Sequence, residues 1–281
     1  MRRQGVSALG LILALALLVV PRSAASGPQP DLGTALADAT SALPGAVGVV
    51  VLDLQSGYAY EHDAGASVEA ASLFKLFVMA ALYRRAQDDP SVLAGSVPVV
   101  RPRIISDHIE FAADLEAVSA ALEEMIDWSD NGATFALVEL LGIDQVNATI
   151  ASLRLHDTVV SSGEPTGNVT SARDVARFFE LLARHQIVSS DASDAMTWLL
   201  LHQGINDRLS RGIPSDALFA HKTGNSAGTF HDAGIVWTPW GERVVVVLTA
   251  GAATSDALAL MEQVGYWTYT LPVPEARSEP G

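Results

Sequence analysis

The sequence places its β-branched apolar runs at the two ends of the chain, and this separation most constrains the fold. Near the start, residues 46–54 and 58–62 are two such runs, joined by a Gln-Ser-Gly turn. Near the other end, the runs 218–223, 228–237 and 243–249 are separated by Gly, Pro and Asn, as in a meander of strands. Strands from both ends can share one antiparallel sheet if the chain between them forms a separate helical layer.

Most of the remaining chain has apolar residues at helical spacing. The segments concerned are 31–43, 70–85, 119–126, 133–141, 144–153, 171–185, 193–201 and 255–271. Prolines make 86–118 irregular in this interpretation, and the polar residues of 158–168 predict a loop. We therefore predict an α/β fold of the α+β type. Its antiparallel sheet is built from both chain ends and flanked by terminal helices, and an all-helical lobe packs against it.

This order of segments predicts a single catalytic domain over residues 26–281. Its α/β lobe comprises 31–69 and 205–271, and its helical lobe comprises 70–204. We expect the active site between the two lobes, since ligand sites favour such boundaries.

The first 25 residues have the pattern of a secretory signal. Two arginines precede a 16-residue apolar run, Gly5 to Val20, and the small residues of 23–26 offer a cleavage site. An uncleaved anchor is the alternative, but the run is shorter than the roughly 20 residues that span a bilayer. We expect an exported, periplasmic or extracellular protein with no membrane contact after cleavage.

Composition excludes several classes of function. The chain has 17 basic and 32 acidic residues and a net charge of −15, which disfavours nucleic acid as a partner. It has no Cys, so thiolate nucleophiles and zinc–thiolate sites are excluded. Only two of the basic residues are Lys, at positions 75 and 222.

Lys75 stands three residues after Ser72, so the two side chains share one face of the predicted helix 70–85. A Ser hydroxyl needs a nearby base to act as a nucleophile. A Lys in an apolar helix loses hydration, which makes its neutral amine accessible. Taken alone, the pair could equally be a helix-capping Ser and a structural Lys.

Lys222 heads the tripeptide Lys222-Thr223-Gly224 at the end of a predicted strand. Between the two lysines lies a third element, Ser129-Asp130-Asn131, which by itself could be a polar turn between helices. The three elements in this order, S-x-x-K, S-D-N and K-T-G, are the signature of class A β-lactamases and penicillin-binding proteins.

On these motifs and their spacing, the sequence resembles the class A β-lactamase-like serine hydrolases. The flanking residues also fit: Met125-Ile126 before the second motif, Thr170 to Asp174 at a helix start, and Gly228 to Trp237 after the third. The resemblance covers residues 31–270. It implies an exported serine β-lactamase that hydrolyses small-molecule β-lactams without a cofactor or a metal, and we expect a monomer.

The resemblance also implies roles for individual residues. Ser72 attacks the lactam carbonyl, Lys75 helps to activate it, Ser129 relays a proton to the leaving nitrogen, and Glu164 holds the deacylating water. Substrate binding is expected from Asn131, Asn168, Lys222, Thr223, Gly224 and Asn225. In that set, the backbone N–H of Asn225 completes an oxyanion hole with that of Ser72.

Two departures from the family pattern keep alternatives open. Glu164 and Asn168 have the family separation, but Gly167 replaces the usual Leu and the loop is short. This favours a D,D-peptidase or esterase with slow deacylation, or less strongly a β-lactam-binding protein without turnover. Phe230 stands where some members place an Arg. Arg208 or Arg211 could substitute for it near the substrate carboxylate, although Arg208 could equally be structural. His221 and His231 are expected to be structural, not metal ligands.

Overall fold

A computed structural model describes residues 30–41, 45–105, 108–164 and 166–274. The predicted signal, residues 1–25, lies outside this range. The core element is a five-stranded sheet with the spatial order β2-β1-β9-β8-β7. Its strands are β1 Ala46–Asp53, β2 Ala59–His62, β7 Phe219–Ser226, β8 Thr229–Thr238 and β9 Gly241–Ala250. All four pairings are antiparallel, so strands from both chain ends form one sheet, as predicted.

Alternation along the central strand β9 divides the core into two layers. Val245 and Val247 face one side, where they pack with the terminal helices α1 (Leu32–Thr40) and α9 (Thr254–Thr270). Val244, Val246 and Leu248 face the other side and pack with the helical layer. The sheet is therefore buried on both faces, which explains the almost unbroken apolar runs of its strands.

The helical layer covers the second face of the sheet. It comprises α2 Lys75–Asp88, α3 Val118–Asp127, α4 Asn131–Leu141, α5 Ile143–Ser152, α6 Ala172–Ala183 and α7 Ser190–Leu201. Polar caps set several of these boundaries. Asp130, Ser171 and Ser189 each accept a hydrogen bond from a backbone N–H in the first turn of α4, α6 and α7.

The expectation of irregular structure over 86–118 is wrong. Helix α2 continues to Asp88, and a 3-10 turn (Pro90–Ala94) leads to a long antiparallel hairpin of β4 Ser96–Ile105 and β5 His108–Ala117. Both strands of a two-stranded hairpin are edge strands, so a backbone N–H that points outward has no partner strand. A proline at such a position therefore breaks no hydrogen bond of the sheet.

The sequence interpretation also missed three short elements. The strands β3 Val68–Glu69 and β6 Val169–Thr170 pair with each other, and the short helix α8 spans Leu209–Gly212. The small β3–β6 sheet fastens the loop 158–168 beside the start of α2. Within the described ranges, we find no helix long and apolar enough to cross a membrane.

Candidate active site

Ser72 lies in a 3-10 turn, Ala71–Phe74, that leads directly into α2. The residue before it, Ala71, has a φ of +43°, in the left-handed region that residues with a Cβ rarely adopt. Such strain persists where the surrounding structure enforces it and is common at functional sites. Ser72 is buried, and the turn is fixed from behind by a hydrogen bond from Ala70 N to Asn168 O, at 2.8 Å.

Strand β7 approaches this turn at Gly224. A Cβ on Gly224 would lie only 3.3 Å from Ser72 N and 3.2 Å from Leu73 N. The missing side chain therefore lets the strand edge lie directly against the turn that carries Ser72. The next residue, Asn225, is carried on the same strand edge, where the resemblance places the second oxyanion-hole N–H.

Lys75 is fully buried and anchored by three hydrogen bonds. Its Nζ donates to Ser129 O at 2.6 Å, to Asn131 Oδ1 at 2.8 Å and to Ser129 Oγ at 3.1 Å. Burial lowers the pKa of Lys75 to about 7, against the opposing effect of the Asp130 charge. Near neutral pH the amine can therefore accept a proton. It makes no hydrogen bond to Ser72 Oγ among the described residues.

The loop between α3 and α4 presents the second motif to this amine. Ser129 has a φ of +58°, which turns its carbonyl and hydroxyl toward Lys75. Asp130 caps α4 by accepting from Ala133 N at 2.7 Å, so Asn131 becomes the first residue of the helix. The fold thus brings Ser72, Lys75, Ser129 and Asn131 together.

Lys222 and Thr223 lie on β7 beside this group. Lys222 is fully buried, and its Nζ donates to Thr223 O at 3.1 Å. Burial holds the pKa of Lys222 well below its usual range, and the positive charges of Lys75 and Arg208 add to this effect. An anionic ligand at this position would favour the protonated form of Lys222, because an opposite charge offsets the cost of burying a cation.

The structure distinguishes between the two arginines considered for the substrate carboxylate. Arg208 is buried behind β7, where its guanidinium donates to His231 O at 3.0 Å and to Asn225 Oδ1 at 3.1 Å. Arg211 is more than half exposed and pairs with Glu262 on α9, at 3.0 Å. Arg208 therefore supports the strand segment that borders the site, and Arg211 lies elsewhere.

Glu164 lies in the loop 158–168, and its side chain is exposed. Its carboxylate makes no hydrogen bond to any described residue, whereas its backbone carbonyl accepts from Asn168 Nδ2 at 2.7 Å. Asn168 is fully buried, and its Oδ1 accepts from the backbone of Ser161 at 2.8 Å and of Ser162 at 3.2 Å. The Asn168 amide thus serves as the internal brace of the loop.

Both histidines beside the third motif are buried and bonded to protein groups. His221 Nδ1 lies 2.8 Å from Asp232 Oδ1, and its Nε2 lies 3.0 Å from Asn206 Oδ1. His231 Nε2 lies 2.7 Å from Glu69 O, and burial lowers the pKa of His231 to about 4. Both rings hold strands in place, which agrees with the structural role expected.

The sequence analysis missed one residue that shapes the site. Arg101 of β4 donates from Nε to Asp130 Oδ2 at 3.1 Å and also pairs with Glu116 and Glu124. It therefore holds the residue that caps α4. The signal that could have revealed the strand is the alternation of apolar and polar residues over 96–117.

Comparison with known proteins agrees with this arrangement. The profile of the beta-lactamase enzyme family matches residues 31–270. A beta-lactamase from Streptomyces fradiae is 28% identical over 283 residues, covering 92% of this chain and 91% of the relative. An imipenem-hydrolyzing beta-lactamase from Enterobacter cloacae is 26% identical over 211 residues, covering 69% and 72%.

Solved structures show the same fold. The crystal structure of a beta-lactamase from Sphaerobacter thermophilus superposes with a TM-score of 0.75 at 25% identity, covering 86% of this chain and 98% of that one. The structure of PBP-A gives a TM-score of 0.76 at 24% identity, covering 85% and 94%. Since the matched range, residues 31–270, runs from the first described helix to the last, the chain belongs to the beta-lactamase enzyme family.

Proposed function

We propose that the protein is a serine β-lactamase of the class A type, which hydrolyses the β-lactam amide through an acyl-enzyme on Ser72. The observation that carries this proposal is the position of Lys75. Its buried amine is held by Ser129 and Asn131, one helical turn from Ser72, with a pKa of about 7. When the pKa of an amine lies near the working pH, a substantial fraction of the amine is neutral, and it is still basic enough to take a proton from the Ser hydroxyl.

In the acylation step, Ser72 Oγ bonds to the lactam carbonyl carbon and its proton passes to the neutral amine of Lys75. The carbonyl oxygen becomes an oxyanion, stabilised by the backbone N–H groups of Ser72 and Asn225. When the C–N bond breaks, the nitrogen takes a proton from Ser129, which is replenished from Lys75 over the 3.1 Å contact.

The substrate carboxylate is assigned to Lys222 and Thr223. The carboxylate would favour the protonated form of the buried Lys222 amine, whose own burial disfavours it, and Arg208 adds a fixed positive charge behind the strand. Asn131 orients Lys75 and the substrate side chain. Gly224 leaves room for the substrate to lie along the strand edge.

For deacylation, we assign Glu164 as the base that takes a proton from water as the water oxygen attacks the ester carbon. The ester C–Oγ bond then breaks, and Ser72 Oγ takes up a proton as Glu164 releases the one that it took from water, so that both groups return to their starting state. We propose that Asn168 acts here by holding the loop and not by touching the substrate, because its side-chain amide makes hydrogen bonds to backbone groups of the loop.

The test is turnover of a chromogenic cephalosporin by the purified protein and by the Ser72→Ala variant. We expect turnover by the wild type and none by the variant. Absence of turnover by the folded wild type would refute the β-lactamase assignment.

The exposed Glu164 carboxylate favours a second candidate, a D,D-peptidase or esterase that acylates and deacylates slowly. Mass spectrometry after mixing with penicillin separates the two. A β-lactamase clears the adduct, and Glu164→Gln traps it. A slow hydrolase accumulates the adduct in the wild type, and Glu164→Gln changes little.

We also propose that the protein is exported after cleavage near Ala25. N-terminal sequencing of the secreted protein should begin near Ser26, and recovery of an intact Met1 from the extracytoplasmic fraction would contradict this.

A further inference from the structure

The β4–β5 hairpin presents one face on which every large side chain is apolar. Its register pairs Val100 with Ala113, Pro102 with Phe111, and Ile104 with Ile109, and directly paired residues lie on the same face. This apolar hairpin face comprises Pro98, Val100, Pro102, Ile104, Ile109, Phe111, Ala113, Leu115 and Ala117, all of them exposed.

The opposite face of the hairpin is used within this chain. Val97 and Val99 are buried in the core, and Arg101 pairs with Glu116, Glu124 and Asp130. The backbone of β4 also lies against α4, where a Cβ on Gly132 would come within 2.4 Å of Val100 O. The hairpin is therefore fixed in orientation, and its apolar face points away from the molecule.

The exposed apolar area of this face is larger than that of an ordinary surface patch. Val100 is 44% exposed, Ile104 81%, Ile109 71%, Phe111 75% and Leu115 76%. With the smaller residues, the face amounts to on the order of 800 Å², whereas the largest apolar patch of a typical monomer is about 300–600 Å². It also equals the roughly 800 Å² that each partner contributes to a standard protein–protein interface.

We propose that the apolar hairpin face binds the same face of a second copy of this chain, forming a two-fold dimer. An isologous contact requires a self-complementary surface, which an uncharged, apolar, two-stranded sheet provides. The net charge of −15 disfavours an anionic lipid surface as the occupant. This proposal differs from the monomer expected from the sequence.

The two-fold axis passes near the middle of the face, close to Ala113 and Phe111. The dimer buries about 1,600 Å² in total, the size of a stable specific complex. The residues of the face are distinct from Ser72, Lys75, Ser129 and Lys222, so the proposal does not depend on the reaction assigned above.

The first experiment measures molecular mass by sedimentation velocity up to about 100 µM, since interfaces of this area range from micromolar to tighter affinity. We expect a concentration-dependent dimer. The double variant Ile109→Ser, Phe111→Ser should weaken association about 100-fold or more and keep the circular dichroism of the wild type. The control Trp198→Ser, which removes an exposed aromatic side chain on α7, should remain dimeric.

A second experiment tests the geometry without destabilising the hairpin. The chain has no Cys, so single Cys variants form disulfides only between copies. Ala113→Cys, near the axis, should crosslink under mild oxidation, whereas its neighbour Ala112→Cys, on the opposite face, should not.

Three results would overturn the proposal. The wild type could remain a monomer at every concentration, the double variant could associate as strongly as the wild type, or the Ala112→Cys and Ala113→Cys variants could crosslink equally. If the monomeric wild type instead bound vesicles of zwitterionic lipid and the double variant did not, a membrane surface would be the occupant.

Discussion

The pH dependence of acylation offers the most direct test of the site, because it depends on one buried amine. Lys75 is fully buried, and its pKa falls from the ordinary value of 10.5 to about 7. With the ordinary pKa, only about 3 in 10,000 amines would be neutral at pH 7, whereas here about half are. The fold thus raises the neutral fraction of the Lys75 amine at pH 7 roughly 1,500-fold.

This gain predicts an acid limb in the acylation rate. The second-order rate constant for acylation should fall about tenfold from pH 8 to pH 6, with a midpoint near pH 7, because it follows the neutral fraction of the free enzyme.

The assay is stopped-flow acylation by a chromogenic cephalosporin between about pH 5 and pH 9. The matched variant is Lys75→Arg, which keeps the positive charge but cannot lose its proton. Acylation by this variant should be at least about 1,000-fold slower than wild type at pH 8 and should lack the acid limb.

A rate constant that is flat from about pH 5 to pH 9 would refute this reasoning. So would an acid limb near pH 7 that persists in Lys75→Arg, because another group would then be the base. Circular dichroism of both proteins confirms that the comparison is between folded states.

Three further predictions concern stability and geometry. The folded pKa of Lys75 lies below its unfolded value, so the unfolded chain binds more protons between about pH 7 and pH 10.5, and stability rises with pH across that window. Lys75→Met should therefore gain about 2–3 kcal/mol more, relative to wild type, at pH 6 than at pH 9 in urea unfolding; an equal difference at both pH values would contradict the assigned burial. Gly224→Ala should lower kcat/KM about 100-fold without a matching loss of thermal stability, because its Cβ would press on Ser72 N at 3.3 Å; unchanged kinetics would show that the strand edge can move away. Arg101→Gln should cost about 1–3 kcal/mol of unfolding free energy and slow acylation, because Asp130 and two glutamates lose their shared cation; a stable variant with normal kinetics would rule out Arg101 as a positioning residue.

The local pattern of the sequence predicted the sheet and most of the helices. Apolar runs near both ends predicted strands, and the structure joins them as neighbours β1 and β9. The hairpin over 96–117 was missed because the prolines at 98 and 102, together with Pro90 before it, outweighed the alternation of its residues. In the folded chain, both strands of the hairpin have a free edge, where no partner strand requires the backbone N–H that proline lacks.

For the site, the sequence by itself determined which residue types are present and in what order. Ser72 and Lys75 share a helical turn by spacing alone, and the motifs at 129–131 and 222–224 follow at family distances. Local spacing cannot bring these three segments together, since they lie more than 50 residues apart. The hydrogen bonds of Lys75 to Ser129 and Asn131 exist only once α2 and α4 pack.

The tertiary structure also decided the chemical state of the site. A pKa of about 7 for Lys75 comes from complete burial, which no neighbour in the sequence can impose. The structure placed Arg208, and not Arg211, behind β7, and it left the carboxylate of Glu164 exposed. Residue identity fixes which protons a side chain can give or take, but its surroundings fix the pH at which it does so, because desolvation and neighbouring charge depend on the packed fold.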